Sequence, residues 1–492
     1  MSVTTATVAV DELAERRHKY HEADVVVVGA GVFGCAIAHA LANQGRSVIL
    51  LERWMKEPNR IVGELMQPGG IESLRKLGLE HCVDDIDAMP CYGYDVFYYG
   101  KDVLIPYPNV DKKGKTSTNH KKADGPQGRG FHHGRFITKL RQACLKNPNI
   151  SVFETEVINT IKGDHNPEIL GVETRTTNAA TGEKTQDCFF GQLNIIADGY
   201  ASRFRKQFLK ETPVVRSKFY ALELIDCELP NAGFGHVVIG AGTPVLLYQI
   251  GTHETRALID VPEKLPEASP ANGGVRGYMA NCVLPKLPAS VQPSFRAALD
   301  RDAKIPASMP NSWLPATPQA NPGLVILGDA LNMRHPLTGG GMTVALNDVV
   351  ILADLLSPAK TPDLGDGAAV NRAMATFHSR RKQLTSIINV LAQALYSLFA
   401  ARDNAQLAKL QRGCFGYFQR GFTAEPMGLM AGLLHRPAVL AYHFFSVAFL
   451  AIWLDWKETG LWKIPVLLWN AFWILWTASV VFLPVLWREL VV

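Results

Sequence analysis

No Cys-x-x-Cys pair occurs anywhere in the 492-residue chain. That excludes the usual zinc knuckles and dithiol redox motifs. The eight cysteines are scattered, a usage that predicts reduced thiols facing the cytosol rather than a disulfide framework. Charge is also scarce, with 19% of residues charged and a formal net charge of only +5. A dedicated nucleic-acid binder needs a concentrated basic face and is excluded. A hydrophobic content of 47% excludes a disordered polyelectrolyte. The first twenty residues hold no apolar run long enough for a secretory signal, and a polar tail is expected over 1–20. There is no internal repeat and no second Gly-x-Gly-x-x-Gly. Length alone predicts about three domain-sized units.

What is abundant lies at the C-terminal end. Residues 437–454 and 464–487 contain no Asp, Glu, Lys or Arg. As helices these runs would measure ~27 and ~36 Å, against a hydrocarbon thickness of ~30 Å. Each is long enough to span a bilayer, or the pair could lie half-sunk in one leaflet. Seven of the nine tryptophans fall at 453, 456, 462, 469, 473, 476 and 487. Tryptophan favours the headgroup region, where the ring is apolar and its N–H stays wet. His443 interrupts the first run and favours a shallow or protein-facing position there. Membrane-inserted helices are expected at about 437–456 and 462–487.

Residues 24–28 (DVVVV) read as a buried parallel strand, 33–44 as a helix and 47–52 as the next strand: a βαβ unit. Residues 109–130 carry Lys112, Lys113, Lys115, Lys121 and Lys122 among Gly and Ser, and read as a loop, either simply solvated or docking an acidic partner or lipid. From 217 to 262, short β-branched and aromatic runs separated by Gly and Pro predict a largely antiparallel sheet. Proline-rich 285–322 reads as irregular connection. Residues 323–329 return to strand, and 343–356 and 371–412 read as helices.

Three motifs carry chemistry. Gly29-Ala30-Gly31-Val32-Phe33-Gly34 follows a strand and opens a helix, with Glu52 at the end of the next strand. The glycines let the backbone approach a pyrophosphate, and the helix start offers it free N–H groups. Glu52 suits a ribose and would repel a 2′-phosphate, so FAD or NAD fits better than NADP. Asp198-Gly199-Tyr200-Ala201-Ser202-Arg203-Phe204-Arg205 follows a second strand-like run; alone, an Asp-Gly there is an ordinary turn. In the third, Asp329 ends a strand, and Gly339-Gly340-Gly341-Met342 enters a helix. The aspartate could hold a polyol hydroxyl, and the helix start the negative charge of a reduced flavin.

Taken together, the motifs resemble the FAD-dependent monooxygenases of the aromatic-hydroxylase fold. The wording EPNRIVGELMQPGG at 57–70, FHHGRF at 131–136 and GDALNMRHPLTGGGMTVALND at 328–348, with the apolar tail pair, resembles the squalene epoxidase (squalene monooxygenase) family over roughly residues 24–492. The resemblance implies an α/β Rossmann-like FAD domain from 21–215 and 321–380. It adds a mostly antiparallel substrate domain at 216–320 and a helical, membrane-anchoring region at 381–492. It implies FAD contacts at Gly29, Gly31, Val32, Phe33, Gly34, Glu52, Arg53, Arg60, Arg135, Val157, Asp329, Gly340, Gly341 and Met342, with Asp198 and Arg205 entering by the family's Asp-Gly motif. Read as residues, Arg53, Arg60 and Arg135 could equally be surface arginines.

Gln67 and Tyr94 match a catalytic polar pair beside flavin and substrate. Leu287, Pro288, Leu395, Phe399, Phe415 and Phe418, with Tyr94, are expected to line an apolar tunnel, although ordinary core packing explains them as well. The implied reaction transfers one oxygen atom of O₂, activated at C4a of reduced FAD, to the terminal 2,3-double bond of squalene. No metal is needed. There is no flavodoxin-like or ferredoxin-like segment, so NADPH-derived electrons are expected from a separate NADPH–cytochrome P450 reductase at the endoplasmic reticulum, with the catalytic domain facing the cytosol. The competing readings are a flavoenzyme of the same fold acting on another isoprenoid lipid and a non-catalytic flavin-binding membrane protein.

Overall fold

The computed structural model describes residues 19–490, apart from 166, 179, 241, 302–303, 401–403 and 460–462. The polar tail expected over 1–20 lies almost wholly outside the described residues. Two sheets, built on two different hydrophobic patterns, organise the chain.

The first sheet grows from the βαβ unit. Glu22–Val28 and Val48–Glu52 are apolar on successive residues, as strands covered on both faces must be. The order across the sheet is Ile150–Glu154, Val48–Glu52, Glu22–Val28, Lys184–Ile196, Ile169–Thr177 and Glu156–Lys162. Leu324–Ile326 runs parallel to the end of Lys184–Ile196. The first four strands are parallel, and the last two return antiparallel. Helix Val32–Ala42 is buried along almost its whole length and packs on helix Gly341–Leu355. The glycine turn before one helix and the glycine run before the other thereby come together, although three hundred residues separate them in sequence.

The second sheet has the order Ser308–Trp313, Val214–Ile225, Glu254–Pro262, Val245–Gln249, Gly235–Ile239, Gly93–Tyr98 and Lys101–Pro106. Neighbours are antiparallel except Gly235–Ile239 with Gly93–Tyr98. Alternation divides its side chains. Val237, Leu246 and Leu258 point into a cluster with Tyr94, Leu395 and Phe415, while Val238, Val245 and Ile259 point to the opposite face, against Tyr278 and Leu287. Gly93–Pro106 thus joins a sheet whose other strands lie more than a hundred residues downstream.

Two local expectations need correcting, and a third, the helical reading of 371–412, gains a break. Residues 109–130 are not a featureless loop: Asn109–Val110 pairs with Thr116–Ser117, and Gly128–Gly130 pairs with Leu65–Met66 and Met89–Cys91. Residues 285–322 hold helix Gln292–Arg301 and strand Ser308–Trp313. Pro293 sits in the helix's first turn, where no N–H bond is lost. Pro310 sits in an edge strand, which tolerates a missing donor. The span 371–412 is two helices, Gly367–Phe399 and Ala405–Gln419.

The tail forms two long helices, Pro437–Thr459 and Ile464–Leu490, the first tail helix and the second. They pack on each other, with the Phe444 and Phe482 rings stacked at 4.2 Å. Their outer faces expose Phe449, Trp453, Trp469, Phe472 and Trp476. Both are long and apolar enough to cross a membrane, and only 22% of each apolar window is buried against protein. Such an apolar face on a folded chain marks membrane attachment. His443 faces protein, bonded to the Tyr417 hydroxyl and to Glu425, each at 2.8 Å. Gly413 lets helix Ala405–Gln419 approach the first tail helix; a Cβ there would lie 2.7 Å from that of Ala451.

Candidate active site

The three glycines of the first turn do different jobs. Gly29 has φ +102°, and a Cβ on it would meet the Ala197 carbonyl oxygen at 2.5 Å. A Cβ on Gly34 would fall 1.8 Å from the Gly29 oxygen. Both are demanded by packing. Gly31 is different: nothing lies within 4 Å of its missing Cβ. It faces open space at the start of helix Val32–Ala42, whose first N–H groups have no side-chain cap. This is the cradle a pyrophosphate requires. Glu52 braces it. Its Oε2 accepts the Ala30 N–H at 2.7 Å, its Oε1 accepts the Trp54 N–H at 3.1 Å, and Arg141 lies 3.4 Å away.

The second and third motifs are joined by one side chain. Arg205 donates to the carbonyls of Gly199, Tyr200, Asp329 and Ala330 at 2.8–3.2 Å. Its role in the structure is to fix the two turns to each other. Asp198 Oδ2 accepts the Arg203 N–H at 3.0 Å, while its buried Oδ1 has no hydrogen-bond partner among the described residues. Burial pushes the Asp198 carboxyl above its ordinary range. Replacing Arg205 by lysine, whose single ammonium cannot reach four carbonyls, is expected to lower flavin occupancy severalfold. The flavin-to-protein absorbance ratio of the purified variant checks this.

Between the sheets lies a cleft that opens to solvent. Gly31, Val32, Phe33, Asp329, Gly341 and Met342 line it, together with Arg60 and Tyr94. Beyond its chain neighbours and its own helix backbone, no described residue comes within 4 Å of a Cβ placed on Gly341, whereas one on Gly340 would strike Ile388 at 2.4 Å. The open cradle, the helix start and an aspartate facing the same cleft fit FAD. The other predicted contacts fall outside the lining. Arg53 lies over the Trp54 ring at 4.0 Å, with Glu156 at 3.7 Å. Arg135 is 3.7 Å from Asp87. Val157 is buried in the core of the first sheet.

Gln67 and Tyr94 do meet. Gln67 Nε2 donates to the Tyr94 hydroxyl and to the Thr338 carbonyl, both at 2.7 Å. The Tyr107 hydroxyl donates to Gln67 Oε1 at 2.6 Å, which fixes the direction of the amide. Burial raises the pKa of both tyrosines, so both stay protonated donors. Sequence reasoning missed Tyr107. The signal was present in the pairing of Gly93–Tyr98 with Lys101–Pro106, which brings Tyr107 back beside Tyr92.

Two other groups were also missed. His133 lines the cleft and bonds the Gly63 carbonyl at 2.9 Å, and burial, with Arg60 nearby, pushes its imidazole down to about 4. Glu64, also on the cleft, holds Arg256 through bonds of 2.7 and 2.9 Å. Behind Tyr94, Leu395, Phe399, Phe415 and Phe418 join one apolar cluster. Leu287 and Pro288 do not; they line a separate cavity with Tyr278 and Val283, on the far face of the second sheet. Successive strand residues point to opposite faces, so the sheet separates the two groups.

Residues 190–469 match the family model described as squalene epoxidase, and 22–259 match that of an FAD binding domain. A squalene epoxidase of Gibberella zeae is 61% identical, the match covering 99% of each chain. One of Aspergillus fumigatus is 53% identical over 98% of this chain and 96% of its own. Among solved structures, p-nitrophenol 4-monooxygenase PnpA from Pseudomonas putida shares the fold at a TM-score of 0.62 and 19% identity, over 84% of this chain and 98% of that one. The glycine cradle, the aspartate and glycine run facing it, the polar pair and the apolar tail are thus carried by a chain that belongs to the squalene epoxidase family of FAD-dependent monooxygenases.

Proposed function

We propose that the chain epoxidises squalene to (S)-2,3-oxidosqualene with O₂ and NADPH-derived electrons, an oxygen-requiring step of sterol biosynthesis of the ergosterol type. The carrying observation is one cleft that joins the glycine cradle to Tyr94, with an apolar cluster directly behind it. When bound, FAD supplies the electron transfer and oxygen activation that no side chain offers. The protein's part is to hold, orient and keep dry.

Gly31, Val32, Phe33, Asp329, Gly341 and Met342 are assigned to cofactor binding, with Arg60 lining the same cleft. Gln67 and Tyr94 are assigned the catalytic position. The Tyr107 hydroxyl holds the Gln67 amide, the amide N–H groups hold Tyr94 and the 338–339 turn, and the Tyr94 hydroxyl proton remains free to donate toward the cleft. Leu395, Phe399, Phe415 and Phe418 offer a hydrocarbon chain a dry wall. Squalene is nearly insoluble in water, so entry from the lipid beside the tail helices is the natural route. The site is assigned to the cytosolic face of the endoplasmic reticulum, with NADPH–cytochrome P450 reductase as electron donor.

Product analysis under ¹⁸O₂ with FAD, NADPH, reductase and squalene tests the reading. Absence of labelled 2,3-oxidosqualene would refute it. Tyr94→Phe leaves a buried amide N–H of Gln67 without its acceptor, a cost of about 1–3 kcal/mol. It is expected to lower kcat roughly 10- to 100-fold with flavin content unchanged, as steady-state kinetics and flavin absorbance would report.

A further inference from the structure

The lysine-rich stretch around residue 112 has no part in the flavin site, yet its position is closely defined. Asp111 Oδ1 accepts the N–H groups of Lys113 and Lys115, each at 2.8 Å, so its carboxylate is turned into the hairpin. Lys112, Lys113 and Lys115 are exposed, and among the described residues none is paired with a carboxylate. The hairpin is fastened to the tail. Arg436, just before the first tail helix, donates to the Lys113 carbonyl. Val110 packs in one cluster with Val439, Leu440, Phe482 and Leu486. Trp487 and Arg488, both exposed, follow directly on that cluster. Lys112, Lys113, Lys115, Arg436 and Arg488 therefore form a basic collar around the end where the two apolar helices meet the rest of the molecule.

We infer that this collar docks on the anionic headgroups of a phospholipid bilayer. The inference rests on the reading of the tail helices as membrane-inserted. Apolar side chains at Tyr442, Phe449, Val480 and Leu483 are exposed on these helices just beyond the collar. An apolar face below and cations above is the profile of a water–lipid boundary, and exposed Trp487 stands at the level tryptophan prefers. Each lysine or arginine near an anionic leaflet adds attraction that decays within a Debye length, ~10 Å at 0.1 M salt. The hairpin spaces these charges around the helix pair rather than along it, so docking also sets the pair's depth and tilt. An acidic protein docking here would have to cover the exposed tryptophan and tyrosine as well, which favours lipid.

The test uses the full-length holoenzyme, moved from detergent into vesicles of phosphatidylcholine alone or with three-tenths phosphatidylserine, and read by flotation. The expected result is at least a roughly tenfold preference for the anionic vesicles at low salt, shrinking as salt rises. The triple variant Lys112→Gln/Lys113→Gln/Lys115→Gln should lose most of that preference while keeping its flavin and its binding to phosphatidylcholine. Equal partition of the unaltered protein into both vesicles would overturn the inference. So would a triple variant that keeps the preference but slows only reductase-driven turnover, which would assign the collar to an acidic protein. Retention by neither vesicle would instead refute membrane insertion itself.

Discussion

Gly31→Val is expected to give a folded protein that carries no flavin. Gly31 has φ −88° and ψ −166°, extended backbone that valine adopts freely. Beyond its chain neighbours, no described residue comes within 4 Å of its Cβ position. The folded chain without cofactor therefore has no reason to resist the substitution. The added isopropyl group fills the space where a pyrophosphate must approach the helix start. Flavin occupancy should fall at least tenfold, about 1.4 kcal/mol, with the melting temperature of the apoprotein unchanged. Gly34→Ala makes the contrast. Its Cβ meets a backbone oxygen at 1.8 Å, so the turn itself must break and the melting temperature falls with the flavin. Flavin absorbance and a thermal melt on the two variants separate a blocked cradle from a broken one. A yellow, fully loaded Gly31→Val protein would contradict the assignment.

Arg381→Ala is expected to cost about 3–5 kcal/mol of stability, because it strands a buried carboxylate. Arg381 and Asp348 are each 3% exposed, and three bonds of 2.7–3.1 Å join them. They tie helix Gly341–Leu355, which starts at the glycine run, to helix Gly367–Phe399, which leads to the tail. Burial raises the Asp348 carboxyl above its ordinary range, and Arg381, with a smaller contribution from Arg334, opposes that rise. Chemical denaturation should show the loss. Lys360→Ala supplies the comparison. It breaks an equally short 2.7 Å pair with Asp354, but an exposed one, and should cost no more than about 1 kcal/mol. An Arg381→Ala loss as small as the Lys360→Ala loss would refute the buried-pair argument.

The flavin cradle was legible in the sequence because its determinants are local. A buried strand, three glycines and a helix start lie within a dozen residues, and their packing demands fall on one another. The second sheet was legible only in its contiguous part. Strands from Val214 to Pro262 alternate visibly, whereas Gly93–Pro106 pairs with partners so distant that no local pattern reports them. Tyr107 was missed for a different reason: the hairpin that returns it beside Tyr92 is local, but nothing within that hairpin points to Gln67 as its partner. Prolines misled where position decides their effect: Pro293 and Pro310 occupy the two kinds of site that tolerate them, a first helical turn and a sheet edge. Arg205 was expected at the cofactor by analogy, and no pattern in the sequence showed that its guanidinium binds four carbonyls of two separate turns. Leu287 and Pro288 were placed beside Tyr94 on hydrophobicity alone. They lie in the connection that precedes helix Gln292–Arg301, which packs on the opposite face of the sheet, and no local pattern reports which face a connection covers.

The interleaving of the two sheets has a consequence for biosynthesis. A nascent chain that has emerged only as far as Ile196 already owns the glycine cradle, yet the edge of its longest strand stays open until Leu324–Ile326 arrives. Nor does Met342 yet face Gly31. Cofactor loading must then wait for most of the polypeptide to be translated, and the tail helices leave the ribosome after that. An early stop codon or a stalled ribosome would release a colourless fragment with an unpaired strand edge, a natural client for chaperones and proteases.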